Sequence, residues 1–243
     1  MMRIGIAGLL LTAAGLVSAA GGGEQLEHAG ANVHDLASVQ RGAALFVNYC
    51  HGCHSAQYMR YQRLAQDLGL SEDQVGKFLV FGDRKVTDYM TAVMPAESEN
   101  WFGTKPPDLT LAARSRGEDW IYSFLQGFYR TEEGWNNTVL PNASMPHVLW
   151  RLQGIQRPVL ETWTDESGEE HTRIASLALH EPGSMSPEEF DAAMRDLVAF
   201  MIYLGEPAIL QRESIGIWVV LFLVVFTFIS WLLYKEYWRD VKK

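Results

Sequence analysis

A chain of 243 residues is long enough for one medium-sized domain with a buried core and some accessory segments. Hydrophobic residues at 48% and aromatics at 12% exclude a disordered chain. A formal net charge of −9 excludes the broad basic surface that a nucleic-acid partner requires.

The carboxylates concentrate between residues 21 and 211, so the chain reads as an acidic soluble body between two apolar ends. At the N-terminus, Met1-Met2-Arg3 precedes an apolar run from Ile4 to Val17 and then Ser18-Ala19-Ala20. A short basic start, an apolar stretch and small residues describe a secretory signal over residues 1–20, cleaved after Ala19 or Ala20. The stretch is short for a retained membrane span. From about Ser38 to Tyr49, Val39, Ala43, Phe46 and Val47 recur at helical spacing, with Arg41 toward the other side. Cys50-His51-Gly52-Cys53-His54 follows directly. Ser71-Glu72-Asp73-Gln74 predicts a capped helix running to Phe81 and stopped by Gly82-Asp83.

Residues 95–110 lack periodicity and hold Pro95, Pro106 and Pro107, which predicts an ordered loop. Glu118 and Asp119 open a helix whose apolar face is Trp120, Ile121, Phe124 and Leu125, with Gly127 as its stop. Residues 131–157 read again as loop, containing Trp135, Pro141, Met145, Pro146 and His147. Val159–Trp163 and Thr172–Leu179 are β-prone and predict a hairpin whose tip carries Asp165, Glu166, Glu169 and Glu170. That tip is either a solvated turn or a surface for a basic partner. Ser186-Pro187-Glu188-Glu189 combines a serine cap, a proline in the first turn and a capping box. Its helix presents Phe190, Met194, Leu197, Val198, Met201 and Ile202 on one face and ends at Gly205-Glu206-Pro207. The helix before Cys50 is the natural partner for that face. Ile215–Tyr234 contains no charge, is long enough to span a bilayer, and carries Trp218, Trp231 and Tyr234 near its ends. Lys235, Arg239, Lys242 and Lys243 follow, which by the positive-inside rule makes the tail cytoplasmic. The expected organisation is a signal peptide at 1–20, an exported body at 21–211, a membrane anchor at 212–234 and a basic tail at 235–243.

The chemistry centres on Cys50, Cys53 and His54. Two cysteines two residues apart with a histidine next to the second form the attachment signature of a c-type haem. The thiols add to the porphyrin vinyl groups and His54 becomes the proximal iron ligand. A zinc site would need further thiolates or imidazoles, and the chain has only these two cysteines. A redox dithiol would accompany a βαβ pattern that is absent around it. The other axial position decides the chemistry, since methionine raises the potential and an open position binds small molecules. Met194 and Met201 belong to a helix face, and Met59 is too close to His54 to reach the far side of the ring. Met94 and Met145, each followed by proline, are the main candidates, with His147 a third.

The haem motif, Lys105-Pro106-Pro107-Asp108-Leu109-Thr110, Ala113-Arg114, Gly117-Glu118-Asp119-Trp120, Gly127-Phe128, Met145-Pro146, Met185-Ser186 and the apolar C-terminal span together resemble the cytochrome c1 family. This is the membrane-anchored c-type subunit of the cytochrome bc1 complex, and the likeness covers residues 38–243. The resemblance implies a mainly α, class I cytochrome c-like haem domain with loop and β-hairpin insertions and one C-terminal transmembrane helix. It implies one covalently attached haem c, Met145 as distal ligand, Arg114 beside a haem propionate and Pro107 packed beside the ring. Phe128 stands where the family has a tyrosine. The implied role is to carry electrons from a Rieske iron-sulfur protein to a soluble cytochrome c, with cytochrome b as neighbour, in a dimeric quinol–cytochrome c reductase of the respiratory chain. The soluble body then faces the periplasm from the cytoplasmic membrane. Two rivals are an anchored cytochrome feeding a terminal oxidase or other reductase, and a gas-binding haem module whose distal site opens.

Overall fold

The computed structural model describes residues 26–95, 97–165 and 167–241. The signal-like segment, Glu166 of the acidic turn and the last two lysines lie outside the described residues. Helix α1 (Leu36–Leu45) starts at Asp35, whose carboxylate accepts from the Ala37 and Ser38 amides at 3.1 and 3.3 Å. It passes without a break into a five-residue π-helical turn, Phe46–Cys50. Val39, Ala43, Phe46 and Val47 are all buried, so the predicted stripe is core.

The partner of α1 is α8 (Pro187–Gly205), as its periodicity predicts. Ser186 accepts from the Glu189 amide while the Glu189 carboxylate accepts from the Ser186 amide, completing the expected capping box. The two helices touch backbone to backbone at Gly42, where a Cβ would lie 2.0 Å from the Asp196 carbonyl oxygen. Phe46 meets Phe200 with ring centroids 5.3 Å apart, both rings fully buried. Burial of that kind contributes about 1.5–3 kcal/mol per side chain. Among the described residues, Asp196 is the carboxylate that the two helices bury. It accepts from the Ser38 hydroxyl at 2.6 Å and from Arg41 Nε and Nη2 at 2.6 and 2.8 Å. Arg41 therefore does not point away as its spacing suggests: its long stem bends back so that the guanidinium neutralises a charge the helix pair has half enclosed.

Around this pair lie α2 (Tyr61–Leu68), which buries Tyr61, Leu64, Ala65 and Leu68, and α3 (Glu72–Phe78). The Ser71/Gln74 capping box forms as predicted, but α3 stops three residues short of Phe81. The proline-containing loop includes one short helix, α4 (Ser98–Phe102), before α5 (Ala112–Arg116) and α6 (Glu118–Gln126). Residues 131–157 are more regular than their composition suggests. They hold β4 (Trp135–Asn137), paired antiparallel with β3 (Phe128–Arg130), and α7 (Trp150–Gln153). A second short pair joins β1 (Ala56–Arg60) to β2 (Tyr89–Met90).

The predicted hairpin is present and longer, with β5 (Gly154–Thr164) and β6 (Glu170–Pro182) antiparallel. Its base is pinned where Gly154 adopts φ +96° against the Glu181 carbonyl, and its outer half stands clear of the body. Helix α9 (Ile209–Tyr237) follows the Pro207 break, contains the expected Ile215–Tyr234 stretch, and buries no residue. It is one helix long and apolar enough to cross a membrane. Two contacts tie its first turns to the body, Arg212 to Glu206 at 2.7 Å and Glu213 to His34 at 3.0 Å.

Candidate functional site

The π-helical turn delivers the cysteines. His51 N–H donates to the Phe46 carbonyl at 2.9 Å, and the Cys50 carbonyl accepts from both Cys53 N–H (3.1 Å) and His54 N–H (2.9 Å). An extra residue per turn of this kind recurs at functional sites. The two thiols are unpaired, Cys50 buried and Cys53 half-buried. Burial pushes the Cys50 thiol up to about 12, with Cys53 adding to it, and burial also raises Cys53. A redox dithiol needs the opposite, a thiol held low enough to ionise.

His54 is held by a second segment. Its Nδ1–H donates to the Pro107 carbonyl at 2.8 Å, across fifty-three residues of sequence. Because a carbonyl only accepts, this contact sets the tautomer: hydrogen on Nδ1, a lone pair on Nε2. Burial lowers the pKa of His54, the Pro107 contact and Asp108 opposing, which keeps the ring neutral as a ligand must be. The rest of the loop is zipped to the strand after the motif. Leu109 N–H donates to the Ser55 carbonyl (2.8 Å), and Asp108 accepts from Gln57 N–H (2.9 Å) and from Thr110 N–H (2.9 Å). Pro107 thus orients His54 through its carbonyl, a role the sequence does not show. The Asp108-Leu109-Thr110 spacing, in which a carboxylate can bond the amide two residues on, is the one signal that marks the clamp.

Arg114 lies on α5, four residues past the clamp, with its stem against Gly205. Among the described residues its guanidinium has no hydrogen bond or ion pair. Met145 is half-buried in the loop between β4 and α7, and no hydrogen bond or ion pair links it or Arg114 to His54. Met94 is half-buried as well, whereas Met59, Met194 and Met201 are core. His147 is 2% exposed, stacked on Phe128 at 4.9 Å and edge-on to Trp135 at 5.1 Å. Neither of its ring nitrogens has a hydrogen-bond partner among the described residues. Burial takes its pKa down to about 4, opposed weakly by Gln153. Phe128, lacking a hydroxyl, packs this ring instead.

Two free thiols, an imidazole with Nδ1 engaged and Nε2 open, and an unpaired guanidinium four residues from the clamp form a donor set that fits haem c. The comparisons decide the family. The pattern of the Cytochrome C1 family matches residues 27–81 and 183–241. The cytochrome c1 of Allochromatium vinosum is 47% identical over 245 residues, covering 99% of this chain and 100% of that protein. The chain belongs to the cytochrome c1 family. Family membership makes it a c-type cytochrome, an electron-transfer subunit of the bc1-type complexes, and implies haem c. A protein named ammonia monooxygenase gamma subunit, from Nitrosomonas europaea, is 45% identical over 211 residues, 85% of each chain. A protein named cytochrome b/c1, from Bradyrhizobium diazoefficiens, is 23% identical over 240 residues, 85% of this chain and 34% of that one. Cys50, Cys53 and His54 fall inside the segments matched by the cytochrome c1 pattern, and Pro107, Arg114 and Met145 fall between them.

Proposed function

We propose that this cytochrome c1 family member carries electrons, through one covalently attached haem, from a Rieske iron-sulfur protein to a soluble cytochrome c. The observation that carries the reading is the His54 imidazole, set by the Pro107 carbonyl with Nε2 free beside two unpaired cysteines. Haem c, when bound, supplies the one-electron couple. Cys50 and Cys53 would hold it through thioether bonds, and His54 through Nε2 and Met145 through its thioether would be its iron ligands. Arg114 would supply a charge-assisted contact for a propionate, and Pro107 would pack beside the ring. A haem held by a protein ligand at both axial positions would reorganise little on reduction, which suits a carrier.

Residues 1–20 serve as the export signal, 21–211 form a class I cytochrome c-like domain on the periplasmic side, and 212–234 anchor it in the cytoplasmic membrane. The tail at 235–243 is cytoplasmic. Cytochrome b and a dimeric complex are the proposed surroundings, consistent with a relative whose printed name joins b and c1.

A visible spectrum of the tagged protein purified in mild detergent, before and after adding a quinol, tests this. The expected result is b-type and c-type bands together, with the c-type band reduced by quinol. If c-type haem copurifies alone and quinol leaves it oxidised, the bc1 surroundings are wrong. The second reading then takes over: the same cytochrome serving another oxidoreductase, favoured by the relative named as a monooxygenase subunit. Met145→Ala tests the distal ligand. Loss of the low-spin spectrum is expected, and its survival would move the assignment to Met94 or His147.

A further inference from the structure

The first residue between the two cysteines is a histidine that nothing above employs. His51 is 6% exposed and sits in a polar cluster inside the core. Its Nδ1 lies 3.2 Å from the His54 carbonyl oxygen, and its Nε2 lies 2.7 Å from Tyr61 Oη and 3.2 Å from Arg84 Nη1. Arg84 Nη1 also reaches Tyr61 Oη at 3.4 Å. The chemistry of the partners fixes every proton. The carbonyl only accepts, so Nδ1 carries the hydrogen. Arg84 only donates, so Nε2 carries a lone pair, and the Tyr61 hydroxyl, the closer group, also donates to it. The Phe46 ring stacks on one side of the imidazole at 6.0 Å and Tyr61 meets it edge-on at 5.9 Å. The imidazole is therefore held at both nitrogens and by two aromatic rings, although a simple turn between two cysteines demands none of this.

We propose that His51 is a positioning residue for His54: it fixes the carbonyl end of residue 54 while Pro107 fixes the ring. The inference rests on His54 being the axial ligand. An imidazole pinned only at Nδ1 can still swing with its own peptide plane. Holding the His54 carbonyl through His51, and His51 through Tyr61 and Arg84, removes that freedom. The Nδ1–H···Pro107 bond then keeps the geometry in which it raises the basicity of Nε2.

The test uses the full chain, matured with its haem in detergent, in the wild type and three variants. The readouts are the midpoint potential and the g-values of the oxidised haem, which follow the orientation of the axial imidazole. His51→Leu removes the donor to His54 and keeps the bulk apolar. It is expected to loosen the Pro107 contact and raise the potential, with the reduced-to-oxidised ratio at a fixed poise rising about threefold or more, tenfold being about 59 mV for one electron. His51→Asn places an amide N–H where Nδ1–H stands and is expected to restore both readouts. Tyr61→Phe keeps the packing, removes only the hydroxyl, and is expected to move both readouts the same way by a smaller amount, which covers the case in which His51→Leu fails to fold. Unchanged potential and g-values in a folded His51→Leu or Tyr61→Phe protein would overturn the proposal and leave His51 as packing. A wild type without a c-type spectrum would instead bring down the haem reading, and the proposal with it.

Discussion

Pro107 and Asp108 divide the work of holding His54, and the division is testable because the two residues use different atoms. Pro107 contributes a backbone carbonyl, which any residue possesses. Asp108 contributes a side-chain carboxylate that ties the loop to Gln57 and Thr110. Pro107→Ala is therefore expected to keep the tautomer of His54 and shift the midpoint potential little, whatever it loses in stiffness. Asp108→Ala leaves two backbone amides without their acceptor and is expected to cost about 1–3 kcal/mol of stability, since hydrogen bonds to charged groups fall in that range. It should also move the potential, because the carbonyl that orients the ring is no longer anchored. Chemical denaturation and a redox titration on both variants check the pair. A larger potential shift from Pro107→Ala than from Asp108→Ala would show that the proline ring, and not the carbonyl, is the important group.

At the scale of elements the domain depends on one helix pair, and Gly42 is where α1 and α8 are closest. A methyl group there would meet the Asp196 carbonyl oxygen at 2.0 Å, the Asp196 carbonyl carbon at 2.7 Å and the Phe200 Cβ at 2.8 Å. Two of those atoms are backbone and cannot rotate aside. Gly42→Ala is expected to force the helices apart and destabilise the domain by about 1–3 kcal/mol or more, the usual cost of overpacking, read as a lower denaturation midpoint. An unchanged midpoint would mean that the helices slide without loss. This seam also shows how much of the fold was legible in the sequence. The apolar stripes of α1 and α8 and the Ser71 and Ser186 capping boxes are local patterns, and each led to the right helix. The glycine contact and the Arg41–Asp196 pair join residues more than a hundred and fifty positions apart, and no local pattern announces them. Likewise β3, β4 and α7 are too short to carry a period of their own. They are ordered by tertiary contacts such as Gln156 Nε2 donating to the Gln126 and Phe128 carbonyls at 2.9 and 3.0 Å. In the site, the Cys-x-x-Cys-His motif was plain from spacing, whereas the carbonyl that sets the histidine tautomer was invisible because a carbonyl has no sequence signature.

For the whole molecule, the net charge of −9 and the long hairpin raise the question of how a basic electron acceptor would approach. The field of the body acts over a Debye length, about 10 Å at 0.1 M salt. The hairpin tip extends that field outward. Its carboxylates are not equivalent. Asp165 accepts from Ser167 N–H (2.9 Å), the Ser167 hydroxyl (2.6 Å) and Glu169 N–H (2.9 Å), and contacts His171 Nε2 (2.8 Å). Those contacts hold its carboxyl well below the usual range, first through Ser167 and His171, so it stays charged while shaping the turn. Replacing it would disturb shape and charge together. Glu169 and Glu170 are exposed and, among the described residues, neither side chain makes a hydrogen bond in the turn, although the Glu169 carboxylate lies within 4.8 Å of the Asp165 carboxylate and the His171 ring. Changing these two therefore alters charge with less effect on shape than replacing Asp165. Replacing both by glutamine is expected to slow electron transfer to a basic soluble cytochrome c about two- to threefold at low salt, because rim charges act on the encounter rate. Wild type and variant should converge by about 1 M salt, where the Debye length falls to about 3 Å. Stopped-flow rates across that range decide it. Equal rates at low salt would reduce the tip to a solvated turn, with any steering left to the acidic body as a whole.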